Sequence, residues 1–219
     1  MELDLKETKD GKFSGKISDN QAGVKKIKGS PFRIVKKLPR LIYEILRYQV
    51  VMKILNWRNR PAKILKYPHR KLTKISVPVD FNKISYKKRL SIFQKMNASL
   101  LRQSYGTKLG IAAPQIGINL RMMIVNGVPI INPEWTPTKA PKEAGLEGCY
   151  SLPPKARYRT ERSQYGWAKW YNMDGKLIEY KIKGLQAIVF QHELDHLSGL
   201  CCNKTGELVA PPEDLPVKK

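Results

Sequence analysis

Of the three histidines in this 219-residue chain, two stand four positions apart in His192-Glu193-Leu194-Asp195-His196. On an α-helix such positions share a face, so both imidazoles reach one metal ion, and the glutamate beside the first reaches an adjacent water. A divalent ion supplies Lewis acidity there, while the carboxylate takes and returns the proton of a hydrolysis. The plainer alternative is a pair of core histidines beside an incidental glutamate. A hydrolytic metal centre needs at least one more protein ligand and an open position. Downstream of His196 there is no histidine, and the acids are Glu207, Glu213 and Asp214, the last two in a proline-rich stretch. Upstream, Cys149 lies in Gly145-Leu146-Glu147-Gly148-Cys149-Tyr150-Ser151-Leu152-Pro153, where the preceding glycine lets a thiolate approach a metal closely. A cysteine standing alone is more often a small core residue.

Periodicity predicts the elements that position these residues. A helix is expected from about Leu185 to Leu197 after Gly184, with Leu185, Ile188 and Val189 on the face of His192 and that face buried. Residues 83–104 predict a second helix on the recurrence of Tyr86, Leu90, Phe93, Asn97 and Leu100. Arg121–Val125 and Val128–Ile131 flank Asn126-Gly127, a strong hairpin turn signal. Tyr165–Asn172 and Leu177–Lys183 form another hairpin around Asp174-Gly175. Helices and antiparallel hairpins in this order predict an α+β fold rather than βαβ units. Residues 1–30, rich in Lys, Gly, Ser and Asp, read as a flexible arm. Residues 38–57 read as a helix with Leu38, Leu41, Ile42, Ile45 and Leu46 on one face and Arg40, Glu44 and Arg47 on the other. The expected domains are a basic N-terminal extension over 1–60, a catalytic domain over 61–205 and a proline-rich tail over 206–219.

Three segments together are similar to the peptide deformylase pattern: Lys108-Leu109-Gly110-Ile111-Ala112-Ala113-Pro114-Gln115, Glu147-Gly148-Cys149-Tyr150-Ser151, and Gln191-His192-Glu193-Leu194-Asp195-His196. They stand in the family's order, and the resemblance covers roughly residues 62–203, with the family's usual start echoed in Lys63-Ile64-Leu65-Lys66-Tyr67-Pro68. The resemblance implies antiparallel sheets packed around a central H-E-x-x-H helix. It implies hydrolysis of the N-formyl group from formyl-methionine on nascent polypeptides, releasing formate. By the same resemblance Cys149, His192 and His196 are the metal ligands and Glu193 the general base and acid. Gln115 and the Tyr150 backbone N–H are the donors to the attacked oxygen. Gly110, Ile111, Gly148, Ile188 and Val189 line the substrate site, and Arg157 organises the cysteine segment. The family's usual metal is ferrous iron (Fe2+), although one thiolate and two imidazoles suit Zn2+, Ni2+ or Co2+ as well. Tyr150 and Ile111 stand where the family usually has leucine, and Lys108 where many members have glycine; these changes spare the chemistry and bear on substrate preference.

The formal charge of +23 is uneven. Residues 1–60 carry 15 Lys/Arg against 6 Asp/Glu and residues 61–105 carry 11 against 1, whereas residues 106–219 carry 15 against 11. A basic front half suits a polyanionic partner, ribosomal RNA or an anionic membrane surface, and is also met as solubilising charge. A ribosome-associated or structural protein that keeps the fold is therefore the competing expectation. No apolar run of 18 residues occurs, so no transmembrane segment is expected. Three cysteines, two of them adjacent, do not make a disulfide framework and point to a reducing compartment. The expected location is the cytoplasm, or an organelle matrix in which translation starts with formyl-methionine.

Overall fold

The computed structural model describes residues 60–210, together with the backbone of three strands nearer the N-terminus. Chain contacts divide it into two compact units, Met1–Arg47 and Tyr48–Lys219. In the first, β1 (Glu2–Glu7), β2 (Phe13–Asp19) and β3 (Ala22–Ile27) pair as an antiparallel meander. The flexible arm expected over residues 1–30 is corrected accordingly: local polarity hid a register that cross-strand pairing supplies. The helix expected over 38–57 lies outside the described residues.

In the second unit α1 (Tyr86–Leu101) starts where the Ser85 hydroxyl accepts from the Lys88 backbone N–H, three residues later than the periodicity suggests. A five-stranded antiparallel sheet follows, built from β4 (Gly110–Ala112), β5 (Met122–Val125), β6 (Val128–Pro137), β9 (Tyr165–Tyr171) and β10 (Leu177–Lys183) in the spatial order β10-β9-β6-β5-β4. Asn126 and Gly127 both take positive φ, 49° and 77°, which the tight turn between β5 and β6 demands. A smaller antiparallel sheet holds β7 (Lys142–Glu147), β8 (Arg157–Ser163) and β11 (Gly206–Ala210) in the order β11-β8-β7. The tail expected from residue 206 thus begins with a strand paired to β8. Finally α2 (Leu185–Leu197) contacts β4, β5, β8 and β10.

The burial pattern explains how two helices share one sheet. All four residues of β5 are buried. Met122 and Ile124 join Phe93, Met96 and Leu100 of α1, while Met123 and Val125 join Phe190 and Leu197 of α2. Strands β4, β5 and the start of β6 are therefore covered on both faces, which is why Met122–Val125 and Val128–Ile131 read as apolar runs, while the Glu134–Pro137 end of β6 is more open. Each large apolar side chain so enclosed stabilises the fold by roughly 1.5–3 kcal/mol. Tyr86, expected on the apolar face of α1, is instead 45% exposed, and Ile92 and Met96 take the buried positions.

Candidate metal centre

The two expected histidines come from α2 and the thiol from the segment just after β7, so the helix alone does not make the cluster. One ligand atom from each of Cys149, His192 and His196 lies within 4.8 Å of the others. Cys149 Sγ is 3.2 Å from His196 Nε2, and the two imidazole rings meet nearly edge to face at 5.1 Å between centroids. The opposite nitrogen of each ring is engaged. His192 Nδ1 donates to Glu147 Oε2 at 2.8 Å, and His196 Nδ1 faces Cys201 Sγ at 3.6 Å. Each ring thus keeps Nε2 for the centre, an orientation typical of metal-ligating imidazoles. Burial would raise the Cys149 thiol, but the adjacent His196 reverses this and holds it well below the ordinary cysteine range, in the form that ligates.

Glu193 is buried within the field of these three residues, 4% exposed, with Oε2 lacking a protein partner. Burial pushes its carboxyl up to about 7, against the lowering effect of His192 and His196. A β-carbon on Gly110 would fall 2.5 Å from Glu193 Oε1, so glycine at the start of β4 makes room for the carboxylate. Gln115 is almost fully buried: its Oε1 accepts from the Ala112 N–H at 2.8 Å, and its Nε2 donates toward Ser151 Oγ at 3.3 Å and Cys149 Sγ at 3.7 Å. An unpartnered buried carboxylate oxygen, a low thiol and two pre-oriented imidazoles fit a divalent ion with an adjacent water.

The remaining expected residues distribute unevenly around this centre. Ile111 is wholly buried against the α1 core, while Ile188 and Val189 are half-buried on α2. The buried face expected through Leu185 is corrected, because Leu185 is 59% exposed and the stripe runs through Ala187, Phe190, Glu193 and Leu197. Glu193 is therefore on the inner side of α2, and Ile188 and His192 border its more open side. Gly148 is exposed, and a β-carbon there would meet Arg157 Nη1 at 2.9 Å. Arg157 itself donates to the carbonyls of Pro154 and Ala156. The Tyr150 ring turns toward the loop leading into β4, where its hydroxyl accepts from the Lys108 N–H at 2.9 Å and its ring packs on Tyr105.

Several supporting residues carry no expectation from sequence. Arg162 on β8 donates through Nε and Nη2 to the two oxygens of Glu147 at 2.8 and 3.0 Å, and through Nη1 to Asp195 at 2.6 Å. Thr160 adds a hydrogen bond to Glu147 at 2.6 Å. Burial would raise the Glu147 carboxyl, but the His192 hydrogen bond and Arg162 outweigh it and hold that group well below the usual carboxylate range. Glu147 and Asp195 stand inside two of the motif segments, but nothing in the sequence marked them as supports; Arg162 and Cys201 had no local signal.

The family model described as Polypeptide deformylase matches residues 61–207. A curated peptide deformylase of Desulforudis audaxviator is 39% identical over 105 residues, covering 46% of this chain and 66% of that protein. One from Thermotoga neapolitana is 40% identical over 96 residues, 42% of this chain and 58% of that protein, so these matches span about three fifths of their relatives' length. A third, from Leptospira biflexa, is 34% identical over 155 residues, 63% of this chain and 83% of that protein. Among solved structures, the peptide deformylase of Thermotoga maritima superposes with a TM-score of 0.60 at 30% identity, covering 70% of this chain and all (100%) of that one. The Met-Ala-Ser-bound class I type b peptide deformylase of Acinetobacter baumannii gives 0.61 at 28% identity, covering 67% and 99%.

Proposed function

The chain belongs to the polypeptide deformylase family, and from that membership we propose that it hydrolyses the N-formyl group of formyl-methionine at the start of nascent polypeptides, releasing formate. The observation that carries this reading is the joint placement of the Cys149, His192 and His196 ligand atoms with the unpartnered carboxylate of Glu193. In it, the antiparallel sheets serve to enclose a central H-E-x-x-H helix. Cys149 and the Nε2 atoms of His192 and His196 would hold one divalent ion, which supplies Lewis acidity at the formyl group and lowers the pKa of an adjacent water. Ferrous iron is our first assignment, with zinc, nickel and cobalt compatible with the same donors.

Glu193 takes a proton from the attacking water at its free Oε2 and returns it to the leaving amine. Gln115 Nε2, fixed because Oε1 is tied to the Ala112 N–H, and the Tyr150 backbone N–H donate to the oxygen that gains charge. Gly110 and Gly148 admit the substrate backbone, and Ile188 and Val189 border its methionine side chain, while Ile111 packs into the α1 core. Arg157 braces the turn after Cys149. Glu193→Ala tests the division of labour. We expect it to keep its metal while turnover of formyl-Met-Ala-Ser falls roughly 10²–10⁴-fold. Near-normal turnover in the metal-loaded variant would remove Glu193 from the reaction.

A second reading rests on charge. Lys87, Lys88, Lys95 and Arg102 are exposed on or just beyond α1, and residues 1–60 add nine further net positive charges. We assign this basic half, including the helix proposed at 38–57, to contact with the ribosome or its RNA, where nascent formyl-methionyl chains emerge. An anionic membrane surface is the alternative. The compartment we propose is a reducing one with formyl-methionine-initiated translation, the cytoplasm or an organelle matrix, in line with three free cysteines at 149, 201 and 202.

A further inference from the structure

The five-stranded sheet is covered unequally. On the face that carries α1, β4, β5 and the start of β6 are buried, but the Glu134–Pro137 end of β6 and most of β9 and β10 are not. Antiparallel pairing sets Tyr165 opposite Lys183 and Trp167 opposite Lys181, and on the other side sets Trp167 opposite Thr136 of β6. Paired residues project from the same face. The alternate positions Gly166, Ala168 and Trp170 face the α2 core, so Tyr165 and Trp167 point outward. Both rings are open to solvent, 44% and 47% exposed, and Lys181, Lys183 and Thr136 are exposed beside them.

The charges on this face are sorted along the strands. Glu134 pairs with Lys169 at 3.5 Å, and Glu179 lies opposite the same lysine, so the middle of the face carries two acids against one base. Lys181 and Lys183 stand at the aromatic end with no acid among their strand partners. Two aromatic rings at i and i+2 on one strand, about 7 Å apart, offer stacking platforms for successive bases. Lysines across the ladder are placed for the phosphates between them. A duplex hides the faces of its bases, so this arrangement suits unpaired nucleotides. We propose that the Tyr165–Trp167–Lys181–Lys183 face of β9 and β10 binds single-stranded RNA.

This surface stands on its own residues and not on the catalytic reading. None of the four residues belongs to the metal centre, so the two proposals can fail separately. The test is fluorescence anisotropy of a labelled oligouridine with the full-length protein, alongside double-stranded RNA and anionic phosphatidylserine vesicles as competitors. Tyr165→Ala combined with Trp167→Ala is expected to weaken oligouridine binding about tenfold or more. Lys181→Glu with Lys183→Glu should weaken it and flatten its dependence on salt. Formate release from formyl-Met-Ala-Ser and thermal unfolding should stay at wild-type values in both variants, which excludes misfolding as the cause. Undiminished oligouridine binding by both variants overturns the proposal. So does a wild-type preference for duplex RNA, or competition by vesicles but not by unlabelled oligouridine, which would make the face a membrane contact.

Discussion

At the residue scale the centre is a set of groups whose protonation is decided by their neighbours. Cys149 is held as a thiolate by His196, and Glu147 as a carboxylate by His192 and Arg162, despite burial that opposes both. Glu193 goes the other way: without a partner for Oε2, burial wins and raises it to about 7. In the metal-free protein this has a thermodynamic consequence. Between about pH 4.5 and 7 the folded state keeps a proton that the unfolded state releases, so stability falls as pH rises through that window. Below it both states are protonated and the penalty vanishes. Glu193→Gln removes the titration. Metal-free Glu193→Gln should therefore exceed the metal-free wild type in stability by roughly 1–3 kcal/mol at pH 8. The gap should close near pH 5. Chemical denaturation at both pH values measures it, and an equal gap at both would show that Glu193 does not ionise against burial.

At the element scale Arg162 is the joint between the two motif segments. It stands on β8, grips Glu147 at the end of β7 and reaches Asp195 on α2, while Glu147 in turn orients His192. Its guanidinium and the Glu147 carboxylate are both largely buried, 9% and 7% exposed. Arg162→Ala would leave that carboxylate without its fork of donors, at a cost of about 3–5 kcal/mol. We expect lowered metal retention alongside the lost stability, measured by elemental analysis and denaturant unfolding. Arg162→Lys should restore neither fully, since a point charge cannot make the paired bonds. The elements that sequence anticipated are those with strong local signals. Asn126-Gly127 placed the first hairpin, Asp174-Gly175 placed β9 and β10, and the run to Leu197 placed α2. Strands β7, β8 and β11 carried no such signal. Lys142–Leu146 is exposed throughout and β8 mixes charges on both faces, so pairing across the sheet decides them. The same division holds at the centre: Cys149, His192, Glu193 and His196 were legible as motifs, whereas Arg162 and Cys201 are brought in only by tertiary packing.

At the scale of the whole molecule, charge and chemistry occupy different parts of the chain. The candidate ligand residues lie between 149 and 196, in the nearly balanced half, while most of the excess charge lies before residue 106. If the basic half recruits the enzyme to the ribosome, co-sedimentation should fall steeply with salt. It should also drop when the chain begins at Pro61, with little change in turnover of a free formyl-peptide. Equal sedimentation of both chains would take residues 1–60 out of that role. Whatever recruits the chain, deformylation rests on one metal ion held by Cys149, His192 and His196. The direct measurement is metal content and formate release from formyl-Met-Ala-Ser on the same anaerobically prepared samples of wild type and Cys149→Ser. We expect close to one divalent ion per chain and formate release in the wild type, with both lost together in the variant. Formate release by a metal-free wild type, or full metal content and activity in Cys149→Ser, would contradict it.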